Sequence, residues 1–569
     1  MRRSPRALLL ALLLPAVLAA PSATAAPAAD GTSPVVVQGP GAAQAVRAAG
    51  GTVTRALPIV DGVAATVPTR AVPRLVRSAG VRAVTPDAPV TVQGGTSESN
   101  PQTINHVLNR EIGADDLHDR GITGAGVTVA LIDTGIADEA YAPGGALAGR
   151  VRSVADPVRQ GGGEVACVNF SGETGDKACD DTFGHGTFMA GLIAGDGAGS
   201  AGRYLGVAPQ AQLISVKIAG KDGSADVSKV LAAIQWVVSF SDRYDIEVLN
   251  LSLGTNSKAP YTLDPLNLAV QRAWTAGLTV VVSASNTGPA RGTITKPADD
   301  PLVLTVGAVD DRQTPGTSDD RLPRFSGRGP AFPGVEGLEH AKPDVVAPGA
   351  RVISLVSPDS TIEKMQTARG VAALRGGYRR GSGTSMAAAV TSGLTALLLQ
   401  AKPAWEPDQV KHALMSSAVK VASDDVEAVG RGLVHGPSAL KAGSTTRTSA
   451  VRSSGKGQIA DSRGTVRVVR VCADVLDACT VEDKVVDGDE TSQRGLVAAF
   501  DGTQYATSEW SGSSWYASQW AGSSWYANQW LQGSSWYGSS WYGSSWYGNE
   551  DTTFYGADLQ GSSWYGAWE

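Results

Sequence analysis

The 569-residue sequence is expected to fold as an α/β protein, a parallel sheet with helices on both faces, preceded by a small ferredoxin-like domain and followed by a small β extension and a low-complexity tail. Three observations carry that expectation. Between about residues 104 and 440, short apolar runs alternate with helical stretches, the pattern of a parallel sheet covered on both sides. Residues 35 to 92 instead follow the order β-α-β-β-α-β, the ferredoxin-like split motif. From about Trp510 the pentapeptide Gly-Ser-Ser-Trp-Tyr recurs, beginning at Gly512, Gly522, Gly533, Gly538, Gly543 and Gly561, and its spacing gives no single amphipathic face.

The elements follow in chain order. Arg2, Arg3 and Arg6 precede the apolar run Ala7 to Ala20 and the small residues Ala23-Thr24-Ala25, which reads as a secretory signal peptide over residues 1–25, too short to span a membrane. Cleavage is expected after Ala25 or within two residues of it. The small domain and its linker occupy residues 26–102. Val35-Val36-Val37 is expected as a strand, Ala42 to Ala49 as a helix closed by Gly50-Gly51, and Thr52 to Leu57 and Val63 to Val67 as strands. Arg70 to Ala79 is expected as a second helix closed by Gly80, and Val81 to Thr85 as the last strand. Val92 to Pro101 is polar and rich in small residues, a linker by composition.

Within residues 103–442, Val127 to Ile132 is nearly continuous in apolar side chains, as a parallel strand buried on both faces should be. It delivers Asp133 at its carboxyl end, where open α/β sheets keep their ligand crevices. Leu213 to Ile218, Val248 to Leu253, Leu278 to Val282 and Val303 to Val309 are further strands. Asp226 is placed to cap one helix, Asp264-Pro265 opens another that Gly277 ends, and Glu406-Pro407 opens a last one through about Val419. Met189 to Ala194 suggests a helix after His185, and Met386 to Leu399 is long and apolar enough for a buried one. In residues 443–505, Gly464 to Cys472 alternates valines with polar and basic residues, a strand of a small β extension with no assignable function. Residues 506–569 are the repeat tail, which holds most of the 13 tryptophans.

Forty-eight basic against 54 acidic residues give a net charge of −6, spread thinly, so neither nucleic acid nor an anionic membrane is implied as a partner. Four cysteines in an exported chain suggest two disulfides, for which three pairings are open. The nearest-neighbour bridges Cys167–Cys179 and Cys472–Cys479 close short local loops and are the expected pairs. The first lies just before His185 and would contribute about 3 kcal/mol by restricting the unfolded chain. None of the four has metal-ligand spacing or a catalytic cysteine context.

The chemistry is carried by segments that arrive in the order aspartate, histidine, serine: Leu131-Ile132-Asp133-Thr134-Gly135, Gly184-His185-Gly186-Thr187 and Gly383-Thr384-Ser385-Met386-Ala387. A serine hydroxyl is a weak nucleophile at neutral pH and needs a base to take its proton. His185 would be that base, and Asp133 would hold the imidazole in the right tautomer. A helix start at Ser385 would supply free N–H groups where negative charge develops. A fourth segment, Val280-Val281-Val282-Ser283-Ala284-Ser285-Asn286, ends in a candidate side-chain donor, Asn286. Each segment alone is weak. Asp-Thr-Gly also marks aspartic proteases, but those need two such carboxylates, and the sequence has one Asp-Thr-Gly and no Asp-Ser-Gly. A lone Gly-His-Gly is more often a structural loop. Four fragments in this order, each beside a suitable strand or helix, point to a serine hydrolase.

Together these segments resemble the subtilase family of subtilisin-like serine proteases. The likeness covers about residues 104 to 440 and extends to Val216-Lys217-Ile218 followed by Gly223-Ser224, Asn250-Leu251-Ser252-Leu253-Gly254, Phe325-Ser326-Gly327 and Lys342 to Gly349. It implies an endopeptidase working through an acyl-enzyme, with Ser385 as nucleophile, His185 as base then acid, Asp133 as orienter, and Asn286 with the Ser385 amide as oxyanion donors. It implies that Gly223, Ser224, Ser252, Leu253 and Gly254 flank an extended substrate, and that Ala284 and Ser285 lie near the pocket for the residue before the scissile bond. Main-chain pairing carries little side-chain information, so broad specificity is expected.

By the same resemblance, the small N-terminal domain is similar to subtilase propeptides, which assist folding and cover the cleft, and it would be cut away within Val92 to Pro101. No cofactor is needed for the chemistry. Calcium often stabilises the family, although carboxylates such as Asp180 and Asp181 show no spacing that fixes a site. The expected partners are a peptide or protein substrate, the chain's own propeptide as inhibitor and, through the aromatic tail, a cell-wall or glycan surface. The tail resembles those of secreted proteins from actinobacteria, and the product is expected outside the cell as a monomer.

Three departures from the family pattern stand out. Ala389 replaces the usual proline and Val390 a common histidine, freeing the first helical turns to settle differently and shift Ser385. Ser285 replaces the usual glycine before the asparagine and adds a side chain near the pocket. Phe188 and Met189 replace His-Val, a change of packing. The alternative reading is an exported, inactive subtilase-like binder acting through its tail, against which the intact quartet speaks.

Overall fold

The computed structural model describes residues 31–92, 107–155, 164–255, 257, 259–332, 339–368, 370, 373–374, 376–442 and 452–453, with the backbone of three strands at Val466–Cys472, Val481–Asp487 and Leu496–Phe500. The expected signal peptide, linker and repeat tail fall outside the described residues, and so does the Cys472–Cys479 pair, of which Cys472 is described in backbone alone.

Residues 31–92 begin with β1 (Thr32–Gln38), α1 (Ala42–Ala48), β2 (Thr52–Leu57), β3 (Gly62–Pro68), α2 (Val72–Val76) and β4 (Ala83–Pro86), the element order expected from the sequence. The four strands form an antiparallel sheet in the order β2-β3-β1-β4. The second helix is shorter than the predicted 70–79: a 3₁₀ turn fills Thr69–Ala71 and α2 starts at Val72. Pro73 explains the start, since proline suits the first turn of a helix, where its missing N–H is not needed. One further strand, β5 (Pro89–Val92), then leaves this sheet altogether, where the sequence suggested the approach to a linker.

The main sheet has seven parallel strands: β6 (Thr128–Asp133), β7 (Cys167–Asn169), β8 (Gln212–Lys217), β10 (Ile246–Leu251), β12 (Thr279–Ser283), β13 (Leu304–Val309) and β14 (Val345–Pro348), with β9 (Ser224–Asp226) and β11 (Leu253–Gly254) lying outside it. Their order is β14-β13-β12-β10-β6-β8-β7. All six residues of β6 are buried, which is why its sequence runs apolar without alternation. The alternation reappears in what each residue meets. Val129 and Leu131 join the core that contains the helices α3 (His185–Ala194) and α7 (Thr384–Ala401), whereas Ala130 and Ile132 join the core of α4 (Val227–Tyr244) and α5 (Pro265–Thr275).

Helix α7 runs through the first of these cores. Among the described residues it is the one helix long and apolar enough to cross a membrane, but 89% of that window is buried inside the protein, so it is a core helix. Ala389 and Val390 are fully buried within its unbroken length. Elements not anticipated include β7, β9, β14, α6 (Thr361–Ala368) and the paired strands Val352–Leu355 and Tyr378–Gly381 on either side of it, as well as the separation of β11 from β10. The last predicted helix, α8 (Pro407–Ser416), opens with a capping box between Glu406 and Gln409 and stops short of Val419.

Helix capping gives one correction and one agreement. Asp264 accepts from the backbone N–H of Leu266 and Asn267, as its Asp-Pro signature implies. Asp226 occupies the N-cap position of α4 but makes no capping hydrogen bond. Asp87, from the N-terminal domain, accepts from Ser228 N (2.6 Å) and Ser228 Oγ instead. The same domain reaches α4 and α5 elsewhere: Ile59 N donates to Gln235 Oε1 (3.0 Å), and Arg272 pairs with Asp61 (2.8 Å) while donating to the carbonyls of Pro58 and Ile59.

Candidate active site

The candidate aspartate, histidine and serine come from three elements that the parallel sheet brings to one edge. Asp133 ends β6, His185 begins α3 and Ser385 lies in the first turn of α7. Strands β8 and β10 depart to opposite sides of β6, so Asp133 sits where open α/β sheets form a crevice. All three side chains are buried, with at most 1% exposure.

His185 Nδ1 lies 2.8 Å from Asp133 Oδ1 and 2.9 Å from Oδ2. A carboxylate only accepts, so Nδ1 carries the proton and Nε2 presents its lone pair. No hydrogen bond is made to Nε2. The Ser385 hydroxyl lies 3.4 Å from the Ser252 carbonyl oxygen. The serine-to-histidine hydrogen bond is therefore not among those formed, a common state of catalytic groups before substrate tightens them.

Asn286 accepts at Oδ1 from Thr384 N (2.8 Å) and Thr384 Oγ1 (3.0 Å), which fixes its carboxamide against the residue preceding Ser385. Ser285 holds a backbone φ of 136°, in the region that favours glycine. Its hydroxyl donates to the Thr293 carbonyl, and the side chain is fully buried. The space for it comes from Gly327, where an added Cβ would lie 2.4 Å from that hydroxyl. Ala284 beside it is also fully buried.

Of the residues expected to flank an extended substrate, Ser224, Leu253 and Gly254 pair with β5 of the chain's own N-terminal region. Thr91 pairs with Ser224, Val90 with Ala225 and Pro89 with Asp226 on one side, while Val92 pairs with Leu253 and Thr91 with Gly254 on the other, all antiparallel. Val90 is buried and Thr91 exposed, as alternation along a strand requires. Gly223 precedes β9 at φ 71°, with the Phe183 ring where a side chain would stand. Ser252 donates to Asn250 Oδ1 (3.0 Å) and to the Ser385 carbonyl (3.2 Å), so the strand beside β5 is tied to the candidate nucleophile.

The predicted bridge Cys167–Cys179 is present, with Cα atoms 5.5 Å apart. It closes a loop that Lys217 also holds: this fully buried side chain pairs with Glu173 (2.6 Å) and donates to the carbonyls of Lys177 (3.1 Å) and Asp180. The next residue in that loop, Asp181, was read from the sequence only as a carboxylate without a site. Its fully buried carboxylate accepts from Gly184 N (2.7 Å), Thr187 N (2.8 Å) and Thr134 Oγ1 (2.7 Å). Burial pushes its carboxyl up from the usual range, and these donors oppose that. Among the described residues, no group of three or more histidine, cysteine, aspartate or glutamate side chains is set to hold a metal ion, and Asp180 and Asp181 are spent on the bonds above and on Lys177.

Comparison with known proteins places this geometry. The sequence pattern of the subtilase family matches residues 124–451. The chain belongs to the subtilase family. It is 40% identical over 319 residues to serine protease AprX of Bacillus subtilis, a match spanning 55% of this chain and 66%, just under two thirds, of AprX. It is 31% identical over 355 residues to an alkaline protease of Alkalihalobacillus alcalophilus, over 62% of this chain and 73% of that one. Its fold is similar to that of fervidolysin from Fervidobacterium pennivorans, with a TM-score of 0.56 and 22% identity over 80% of this chain and 68% of fervidolysin. The subtilisin-like α/β fold expected from the four motifs is thus the fold of this chain.

Proposed function

We propose that the protein is a secreted serine endopeptidase of broad specificity, made as a zymogen that processes itself. The observation that carries this reading is β5, an extended segment of the chain's own N-terminal region seated between β9 and β11 and leading toward Ser385. In the proposed reaction the Ser385 hydroxyl attacks a peptide carbonyl while its proton passes to His185 Nε2, and the oxyanion is taken by the Asn286 amide and the Ser385 N–H. His185⁺ then gives the proton to the leaving amine, and water repeats the sequence to release the acid. Asp133 holds the imidazole and stabilises its cation throughout. No cofactor enters these steps.

The register of β5 supports a processing bond just beyond Val92. Val92, where β5 ends, stands opposite Leu253, and the residue before Leu253, Ser252, has its carbonyl oxygen 3.4 Å from the Ser385 hydroxyl. We place cleavage between Gln93 and Gly94, within the segment 92–101. Residues 1–25 are then a leader, residues 26–102 the inhibitory segment with its linker, residues 103–442 the peptidase, and the aromatic tail a wall or glycan contact. No observation favours the inactive binder.

A fluorophosphonate probe tests the reading. Labelling of the secreted protein that vanishes in Ser385→Ala is expected, with Gly94 as the new N-terminus and activity rising from about pH 6 to 8, as a base that must be unprotonated requires. Absence of label on folded, processed protein, or a flat pH profile, overturns it.

A further inference from the structure

We infer that Asp181 is a positioning residue of the reaction, an anion that mounts His185 on Asp133 and adds a second buried negative charge to the elements that carry the pair. The inference rests on the peptidase reading above. Asp133 and His185 meet across two elements, the end of β6 and the start of α3, and a proton-transfer geometry tolerates little play between them. Asp181 belongs to neither element and bonds to both.

One of its oxygens accepts from Thr134 Oγ1 (2.7 Å), next to Asp133, and from Gly184 N (2.7 Å), next to His185. The other accepts from Thr187 N (2.8 Å), in the first turn of α3. Thr134 closes the circuit: its hydroxyl oxygen accepts from Gly186 N (2.9 Å), and its own N–H donates to Asp133 Oδ1 (2.8 Å). Thr187 adds a parallel strut, its hydroxyl accepting from Ala137 N (2.9 Å). Every partner of the Asp181 carboxylate is a donor, so the group serves as an anion, and α3 turns its N-terminal amides toward it.

The surrounding loop fixes where the carboxylate stands. Lys217 holds the carbonyl of Asp180, the disulfide holds Cys179, and Ser357 Oγ donates to the Asp181 carbonyl. Strand β8 places Lys217 opposite Asp133 itself, so the clamp on the loop and the catalytic carboxylate share one register of the sheet. A loop tether alone would need no charge at this point. A buried anion bonded to the elements that carry the pair does something a tether does not: it favours the imidazolium formed during reaction.

That difference is the test. In full-length Ser385→Ala protein, which needs no activity, the ring of His185 is titrated by NMR with and without Asp181→Asn. The neutral variant should lower the histidine's titration midpoint by about half a unit or more. In the active enzyme the acid limb of the kcat/KM profile should move the same way, with kcat reduced about tenfold or more and KM within about twofold. Thr134→Val keeps the charge but cuts the link. It should lower kcat about fivefold or more and leave the acid limb in place, and it decides the matter if Asp181→Asn does not fold. An unmoved histidine midpoint in Asp181→Asn, or an unchanged kcat in Thr134→Val, overturns the inference. An inactive wild type overturns the peptidase reading and this inference with it, whereas an active wild type with an unmoved midpoint in Asp181→Asn overturns the inference alone.

Discussion

At the scale of single residues, the candidate site depends on side chains that are absent as much as on those present. Gly186 follows His185, and a Cβ added there would come within 2.1 Å of the Gly135 carbonyl oxygen, immediately beyond the Asp133-Thr134 turn. Gly186→Ala should therefore push α3 away from β6. The expected result is a loss of kcat of about 100-fold, since a displacement near 1 Å costs that much, with a stability loss of about 2 kcal/mol. Steady-state kinetics and thermal unfolding check both, and an active, equally stable variant would show that the two elements can yield. Ser285 makes the complementary point. Its φ of 136° would suit glycine, and the chain instead satisfies its hydroxyl at Thr293 and leaves room at Gly327. Motif spacing exposed Asp133, His185, Asn286 and Ser385, because each stands in a distinctive local context. It did not expose Asp181, an aspartate in a polar loop whose meaning lies in Thr134, 47 residues away.

At the scale of elements, five of the seven strands of the main sheet were legible because burial on both faces demands apolar residues throughout, while the short edge strands β7 and β14 were not. Caps were legible where the partner is local, as at Asp264, and misleading where it is distant, as at Asp226. The first-turn bonds at Ser228 of α4 go to Asp87, 141 residues upstream. Asp226 and Lys229 are the charged groups facing that carboxyl, and burial pushes it from 3.8 up to about 6. The docked state thus holds a proton that the free segment releases near pH 4, so docking of the N-terminal domain is favoured by acid and weakens as pH rises through about 6. The onset of activity from freshly secreted zymogen should be slower at pH 5 than at pH 7.5, beyond the slowing due to His185. Asp87→Asn, neutral at every pH, should remove that extra delay, as a progress-curve comparison would reveal.

At the scale of the whole molecule, the catalytic body carries an electrostatic cost that grows with pH. Glu111, on the short helix Leu108–Glu111, shares a side-chain hydrogen bond with Asp320, with Asp311 and Asp319 near it, and no donor from outside the pair reaches their carboxyl oxygens. Burial pushes Glu111 up to about 10 and Asp320 to about 6. A carboxyl whose folded value lies above its unfolded one stabilises at low pH, and that stability is lost between about 4.5 and 10 as pH rises. Glu111→Gln should raise the melting temperature by about 2 °C or more at pH 9 and leave it unchanged at pH 4. Equal melting temperatures at pH 9 would show that the pair is satisfied in solution. The amino-acid sequence by itself determined the family, the sheet-forming runs and the order in which the reacting groups arrive, because buried strands and short glycine-framed motifs are local in their demands. Only the tertiary structure decided that β5 enters the cleft, that Asp87 caps α4 and that Asp181 joins β6 to α3. Each of those depends on a hydrogen bond whose partners are brought together by folding, and such a bond leaves no periodicity in the chain.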